Sequence, residues 1–79
     1  MSNVEKLIQR LLSKPTDMRF EEVVRVLEYH GYVLRGSKGS HRRFERLGWP
    51  MITVPVARGH VERVYLARLV KLLSIEEEC

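Results

Sequence analysis

Tyr32-Val33-Leu34-Arg35-Gly36-Ser37-Lys38-Gly39-Ser40-His41-Arg42-Arg43-Phe44 is the stretch on which the reading of this chain turns. It opens on aromatic and β-branched residues, passes through a Gly/Ser-rich middle and resumes with polar and apolar side chains. A strand, a tight turn and a second strand have that pattern. The expected strands are Tyr32–Lys38 and His41–Leu47, joined at Gly39-Ser40. Leu47-Gly48-Trp49-Pro50 reads as a second turn and Met51–Val56 as a third strand. In that strand Ile52, Val54 and Val56 alternate with Met51, Thr53 and Pro55, giving one core face and one outer face. Pro55 has no N–H for a ladder, which places this strand at an edge or close to its own end.

The same parity orients the middle strand. If Phe44 points into the core with Arg42 and Arg46 on its side, then His41, Arg43 and Glu45 point the other way. His41 then stands at the start of a strand, on the open face, beside the glycine-rich turn.

Working outward, Ser2–Ser13 reads as a helix, because Val4, Leu7, Ile8, Leu11 and Leu12 form one apolar stripe at helical period. Ser2 and Glu5 have the spacing of a capping box, and Pro15 stops the helix through its restriction on Lys14. A second helix is expected over Met18–His30, capped by Thr16 or Asp17. Phe20, Val23, Val24, Val26 and Leu27 form its buried face, and Glu21 with Arg25 an outward pair. Gly31 suits the left-handed residue that ends such a helix, and His30 reads as a structural group at its negative end. Ala57–His60 reads as a short solvated loop, with a second phosphate-contacting edge as the alternative. A last helix starts between Val61 and Val64 and ends near Ser74, burying Leu66, Leu69, Val70 and Leu73 with help from Tyr65.

The order helix–helix–strand–strand–strand–helix, with one apolar face per helix, implies a two-layer α+β domain. Short connections make the three-stranded sheet an antiparallel meander with helices on one face and the other face open. This is the αβββα order of double-stranded-RNA-binding (dsRBD-like) domains with an added N-terminal helix. The 79 residues make a single domain, with the core over 18–74 and the extension helix over 2–13.

Composition narrows the chemistry. The formal net charge is +4 and the sequence pI about 9.6, which favours polyanionic partners. The charge is concentrated: Arg35, Lys38, Arg42, Arg43 and Arg46, with His41 a potential sixth, face Glu45 alone. The opposite sign gathers in Glu76-Glu77-Glu78. Cys79 is the single cysteine, so no internal disulfide and no cysteine-based zinc cluster is expected, in keeping with a reducing cytosol. No apolar run reaches membrane-spanning length and the N-terminus lacks a signal-peptide pattern, so no membrane association is expected.

Within the turn, Gly36 and Gly39 admit positive φ or a close backbone approach. Ser40 and amide N–H groups can grip phosphate oxygens, and Lys38, Arg42 and Arg43 supply positive charge. His41 is the one group there whose ordinary titration range spans neutrality. The same residues also compose a plain solvated hairpin, and the choice between phosphate chemistry, phosphate binding and neither stays open at this level.

Gly39-Ser40-His41-Arg42-Arg43-Phe44 resembles a G-S-H-x-x-F signature. It follows an amphipathic helix ending Tyr29-His30-Gly31-Tyr32 and precedes Ile52-Thr53-Val54-Pro55 and a Leu-rich helix. In that order, over about Phe20 to Leu73, these motifs are similar to the HicA-type (YcfA-like) mRNA interferase toxins of bacterial toxin–antitoxin pairs. The resemblance implies an RNA-cleaving toxin of dsRBD-like fold, neutralised by a HicB-type antitoxin, with His41 catalytic and Gly39 and Ser40 before it. It assigns nothing to His60, because Arg58-Gly59-His60 matches only loosely.

The residues are compatible with that chemistry. Attack of a ribose 2′-OH on its own phosphate needs a base, for which His41 serves, and cations for the developing charge, for which Lys38, Arg42 or Arg43 serve. Glu45 is the only acid nearby, so neither a two-metal mechanism nor any cofactor is expected. No second histidine is in evidence as general acid, which predicts modest turnover. Two other classes fit the residues: a non-catalytic nucleic-acid-binding module using the same turn, and a protein-interaction domain docking a partner on the Ser2–Ser13 stripe.

Overall fold

A computed structural model describes residues 3–13 and 15–73. The elements run α1 (Asn3–Leu12), β1 (Asp17–Arg19), α2 (Phe20–Tyr29), β2 (Val33–Lys38), β3 (His41–Glu45), β4 (Ile52–Pro55), β5 (His60–Glu62) and α3 (Arg63–Leu72). The proposed Ser2 cap, Lys14, Ser74 and the acidic tail lie outside the described residues.

Strands β2, β3 and β4 form an antiparallel meander in that order, so Pro55 lies on an edge strand as its missing N–H requires. Phe44, Ile52 and Val54 are buried, whereas His41, Arg43, Glu45, Thr53 and Pro55 are exposed, so the sheet has one core face and one open face. Between Leu34 and Gly36 the β2–β3 register slips by one residue. The slip puts Gly36 opposite Arg43 on the open face and leaves Arg35 out of the pairing.

The core joins Phe44, Ile52 and Val54 to Val23, Val26 and Leu27 of α2 and to Leu66, Leu69 and Val70 of α3. Full burial of side chains of this size stabilises by about 1.5–3 kcal/mol each. Helix α1 belongs to the same core, because Ile8 and Leu11 are buried in it and Val4, Leu7 and Leu12 pack against it. Arg10 Nη1 adds an ion pair at 3.3 Å to Glu22 Oε2 of α2. The apolar stripe of α1 is therefore spent inside the domain, which removes the surface on which a protein-docking reading depended.

One pairing differs from the sequence expectation. Asp17–Arg19 is a strand, paired antiparallel with His60–Glu62 so that Met18 faces Val61, both buried. Helix α2 accordingly starts at Phe20 rather than Met18, and its cap is Arg19 rather than Thr16 or Asp17. Glu22 Oε1 accepts a hydrogen bond from the Arg19 N–H at 3.0 Å. The ends of this ladder are closed by Phe20 N–H to Gly59 O at 2.8 Å and Arg63 N–H to Thr16 O at 3.0 Å. The last helix begins at Arg63, within the expected Val61–Val64 start, and Val61 itself belongs to β5. A local cap signal at Thr16-Asp17 lost to a non-local ladder that buries Met18.

The remaining turns behave as expected. Gly31 has φ 88° where α2 ends, and Tyr32 then enters the core with its hydroxyl donating to Pro50 O at 2.9 Å. Burial raises the Tyr32 pKa, against a smaller lowering by Arg46. Among the described residues no helix is long and apolar enough to cross a membrane.

Candidate functional site

The β2–β3 connection is a two-residue turn closed by the Lys38–His41 pair. Gly39 has φ 58° and Ser40 a negative φ, so the first turn position is one that L side chains resist and glycine accepts. The turn is held from two sides. Val56 N–H donates to Ser40 O at 2.7 Å, binding it to the exit of β4. Arg42 Nη1 donates to Gly39 O at 2.7 Å and His41 O at 3.3 Å, and its guanidinium stands 5.9 Å over the Phe20 ring.

These contacts divide the predicted site residues between two faces. Lys38, Gly39, Ser40, His41 and Arg43 line one open depression, together with Gly36, Ser37 and Thr53. Arg42 lies on the helical side, half-buried, and its guanidinium is engaged with the turn's own carbonyls. The arginine next in sequence does the opposite. Arg43 lies across Gly36 on the open face, with Nε 3.4 Å from Glu45 Oε2.

His41 is therefore flanked on one face by Lys38 across the ladder and by Arg43 two residues along its own strand. Cross-strand neighbours of this kind stand about 4.5–5.5 Å apart at Cβ. An anion seated over them meets two cations, an imidazole, the Ser40 hydroxyl and a glycine backbone without side-chain obstruction. Such a set can bind a phosphodiester, exchange a proton with it and stabilise added negative charge. Among the described residues, no group of three or more His, Cys, Asp or Glu side chains is placed to hold a metal ion.

Two of the residues that shape this depression went unassigned in the sequence. Glu45 tethers Arg43, and Thr53 borders it from β4. Parity had put both on the open face, but only cross-strand register shows which residues they meet. His60, expected in a loop, opens β5 instead, with Nδ1 2.9 Å from Asp17 Oδ2. The one local hint was that Asp17-Met18-Arg19 and His60-Val61-Glu62 share a polar–apolar–polar pattern, too short to read as a strand. His30 has the structural role expected of it: Nδ1 is 2.8 Å from Val26 O, and the ring stands edge-on to Tyr29 at 5.3 Å.

Comparison with known proteins adds one match. No curated protein and no solved structure matches the chain. A protein-family profile described as the HicA toxin of bacterial toxin–antitoxin matches residues 20–73, from the first residue of α2 to the residue that follows α3. The matched segment is more than half of the chain and contains the whole three-stranded sheet, its Gly39-Ser40 turn and His41. By this match the chain belongs to the HicA family of bacterial toxin–antitoxin toxins.

Proposed function

We propose that this toxin is an endoribonuclease, an mRNA interferase that cleaves RNA on the open face of the β2–β3 turn with His41 as general acid/base and without a metal ion. The family supports the coarse part, since HicA toxins are in general ribonucleases. The observation that carries the finer part is the grouping of His41, Lys38 and Arg43 on one exposed sheet face beside a glycine turn.

In this mechanism Ser40 and the turn amides seat the scissile phosphate. His41 takes the proton of the adjacent 2′-OH as its oxygen attacks phosphorus, and Lys38 and Arg43 hold the charge that develops on the phosphoryl oxygens. The bond to the 5′-oxygen then breaks and that oxygen takes up a proton from water, leaving a 2′,3′-cyclic phosphate and a 5′-hydroxyl. General-base assistance of this kind contributes about 10²–10⁴-fold. Arg42 supports the site by holding the turn in shape. A HicB-type antitoxin covering this face in the cytosol would inhibit the reaction by excluding RNA.

The deciding experiment compares wild type with His41→Ala in EDTA, measuring cleavage and RNA binding together. The expected result is cleavage by the wild type, none by the variant, and equal binding. A second reading, a non-catalytic RNA-binding module, has one observation in its favour. Lys38, Ser40 and Arg43 line the depression beside His41 and can hold a phosphate with no proton transfer at all. Binding by both proteins with cleavage by neither establishes that reading.

A further inference from the structure

Ser40 borders two depressions, the one in front of His41 and a separate groove behind the turn. The second runs between the β4–β5 connection and the first turns of α3, with Pro55 and Val56 on one side and Val64, Tyr65 and Arg68 on the other. Its frame is rigid. Val56 N–H holds Ser40 O at 2.7 Å, and Ala57 and His60 exchange two backbone hydrogen bonds at 2.9 Å. Val64 is 84 % exposed and stands in the lining of this groove. Tyr65 is half-buried, and Val64 and Tyr65 lie one turn of helix from Arg68, so the three present one surface.

We infer that this groove is a nucleotide subsite, in which an unpaired base next to the scissile phosphate packs on Tyr65 and Val64 while Arg68 engages the same nucleotide. The inference rests on the ribonuclease reading above and adds what holds the strand in register. Three features favour a nucleotide over a protein segment. The groove and the phosphate site share Ser40 in their linings, so a nucleotide next to the scissile phosphate is within reach of the groove. Its lining joins Tyr65 to the apolar Pro55, Val56 and Val64, which suits a base, whose π-face stacks on aromatic side chains whatever its identity. Glu62 lies in the same lining as Arg68, so the groove offers an acceptor as well as a donor, which suits a base edge better than a bare phosphate. Burial raises the Tyr65 pKa, against a smaller lowering by Arg68, so the phenol remains a hydrogen-bond donor at neutral pH.

The test uses Val64→Asp and Arg68→Gln, both at exposed positions, with thermal melting to confirm that each folds as the wild type does. Binding is read with a short 2′-O-methyl oligonucleotide that cannot be cut, and cleavage with unmodified RNA of the same sequence. Each variant should raise Kd and KM about tenfold and leave kcat within about twofold, since base stacking is lost without a change at His41. A walk of single abasic sites along the oligonucleotide should weaken wild-type binding at one position beside the cleaved bond, and that penalty should vanish in Val64→Asp. If the wild type cuts RNA and both variants match it in Kd and KM, the subsite is wrong and the ribonuclease reading stands. Loss of antitoxin binding with unchanged RNA binding overturns it in favour of a protein contact. If the wild type neither binds nor cuts RNA, both readings fall together.

Discussion

The guanidinium of Arg43 lies across the bare backbone of Gly36, so close that a Cβ on Gly36 would stand 3.2 Å from Nη2. Neither residue advertises the other in the sequence. They meet because the register slip after Leu34 sets Gly36 opposite Arg43. The two glycines of the stretch thus have different duties, Gly36 giving room and Gly39 giving a positive φ.

Gly36→Ala should therefore displace Arg43 and weaken RNA binding severalfold. Its stability should stay within about 1 kcal/mol of wild type, because the alanine's better strand propensity offsets the crowding. Gly39→Ala should do the reverse to stability, costing about 1–2 kcal/mol through its left-handed φ, although nothing lies near its Cβ. Urea denaturation and oligonucleotide binding separate the two. Equal stability losses would sink the division of roles.

The faces of the two adjacent arginines can be read from salt dependence. Each cation that neutralises a phosphate of a single strand contributes about 0.7 to the slope of log K against log salt. Lys38→Gln and Arg43→Gln should each reduce the slope by about that amount. Arg42→Gln should leave the slope unchanged and instead cost about 0.5–1.5 kcal/mol of stability through the lost bond to Gly39 O. A slope change in Arg42→Gln as large as in Arg43→Gln would place both arginines on phosphate.

Helix α1 lies outside the family match yet supplies buried Leu11 to the core. Leu11→Ala should cost about 2–5 kcal/mol, the ordinary range for a leucine deleted from a packed interior. Urea unfolding gives the figure. A loss below about 1 kcal/mol would mean that α1 is dispensable to the fold and leave its stripe available to a partner.

Tyr32 links stability to alkaline pH. Its folded pKa is raised above the ordinary tyrosine value of 10.0, so above that pH the unfolded chain loses the proton while the folded one keeps it. The contribution is complete below the unfolded pKa and is lost as pH rises through the folded one. Tyr32→Phe should cost about 0.5–1.5 kcal/mol at neutral pH for the bond to Pro50 O, and should soften the fall in stability above about pH 10. Denaturation midpoints for both proteins across that window test this, and parallel curves would contradict it.

What the chain declares locally is considerable. The stripes of α1, α2 and α3, the turn at Gly39-Ser40, the alternation of Ile52-Thr53-Val54-Pro55 and the outward parity of His41 were all legible. Each depends on the chain's own period and on the backbone limits of glycine and proline, which act over a few residues. The pairing of β1 with β5 was not legible. Three-residue strands carry no usable period, and what holds Asp17–Arg19 extended is a ladder to residues more than forty positions away.

The site divides in the same way. Sequence alone determined that Lys38, Gly39, Ser40, His41, Arg42 and Arg43 would surround one turn, because they are neighbours along the chain and strand geometry alternates their faces. Only the tertiary structure decided that Arg42 holds the turn from the helical side, that Arg43 rests on Gly36, and that Ser40 also borders a groove built with α3. Those outcomes depend on where Phe20, Val56 and Tyr65 arrive in space, and that is settled by burying one common core rather than by any residue's nearest neighbours.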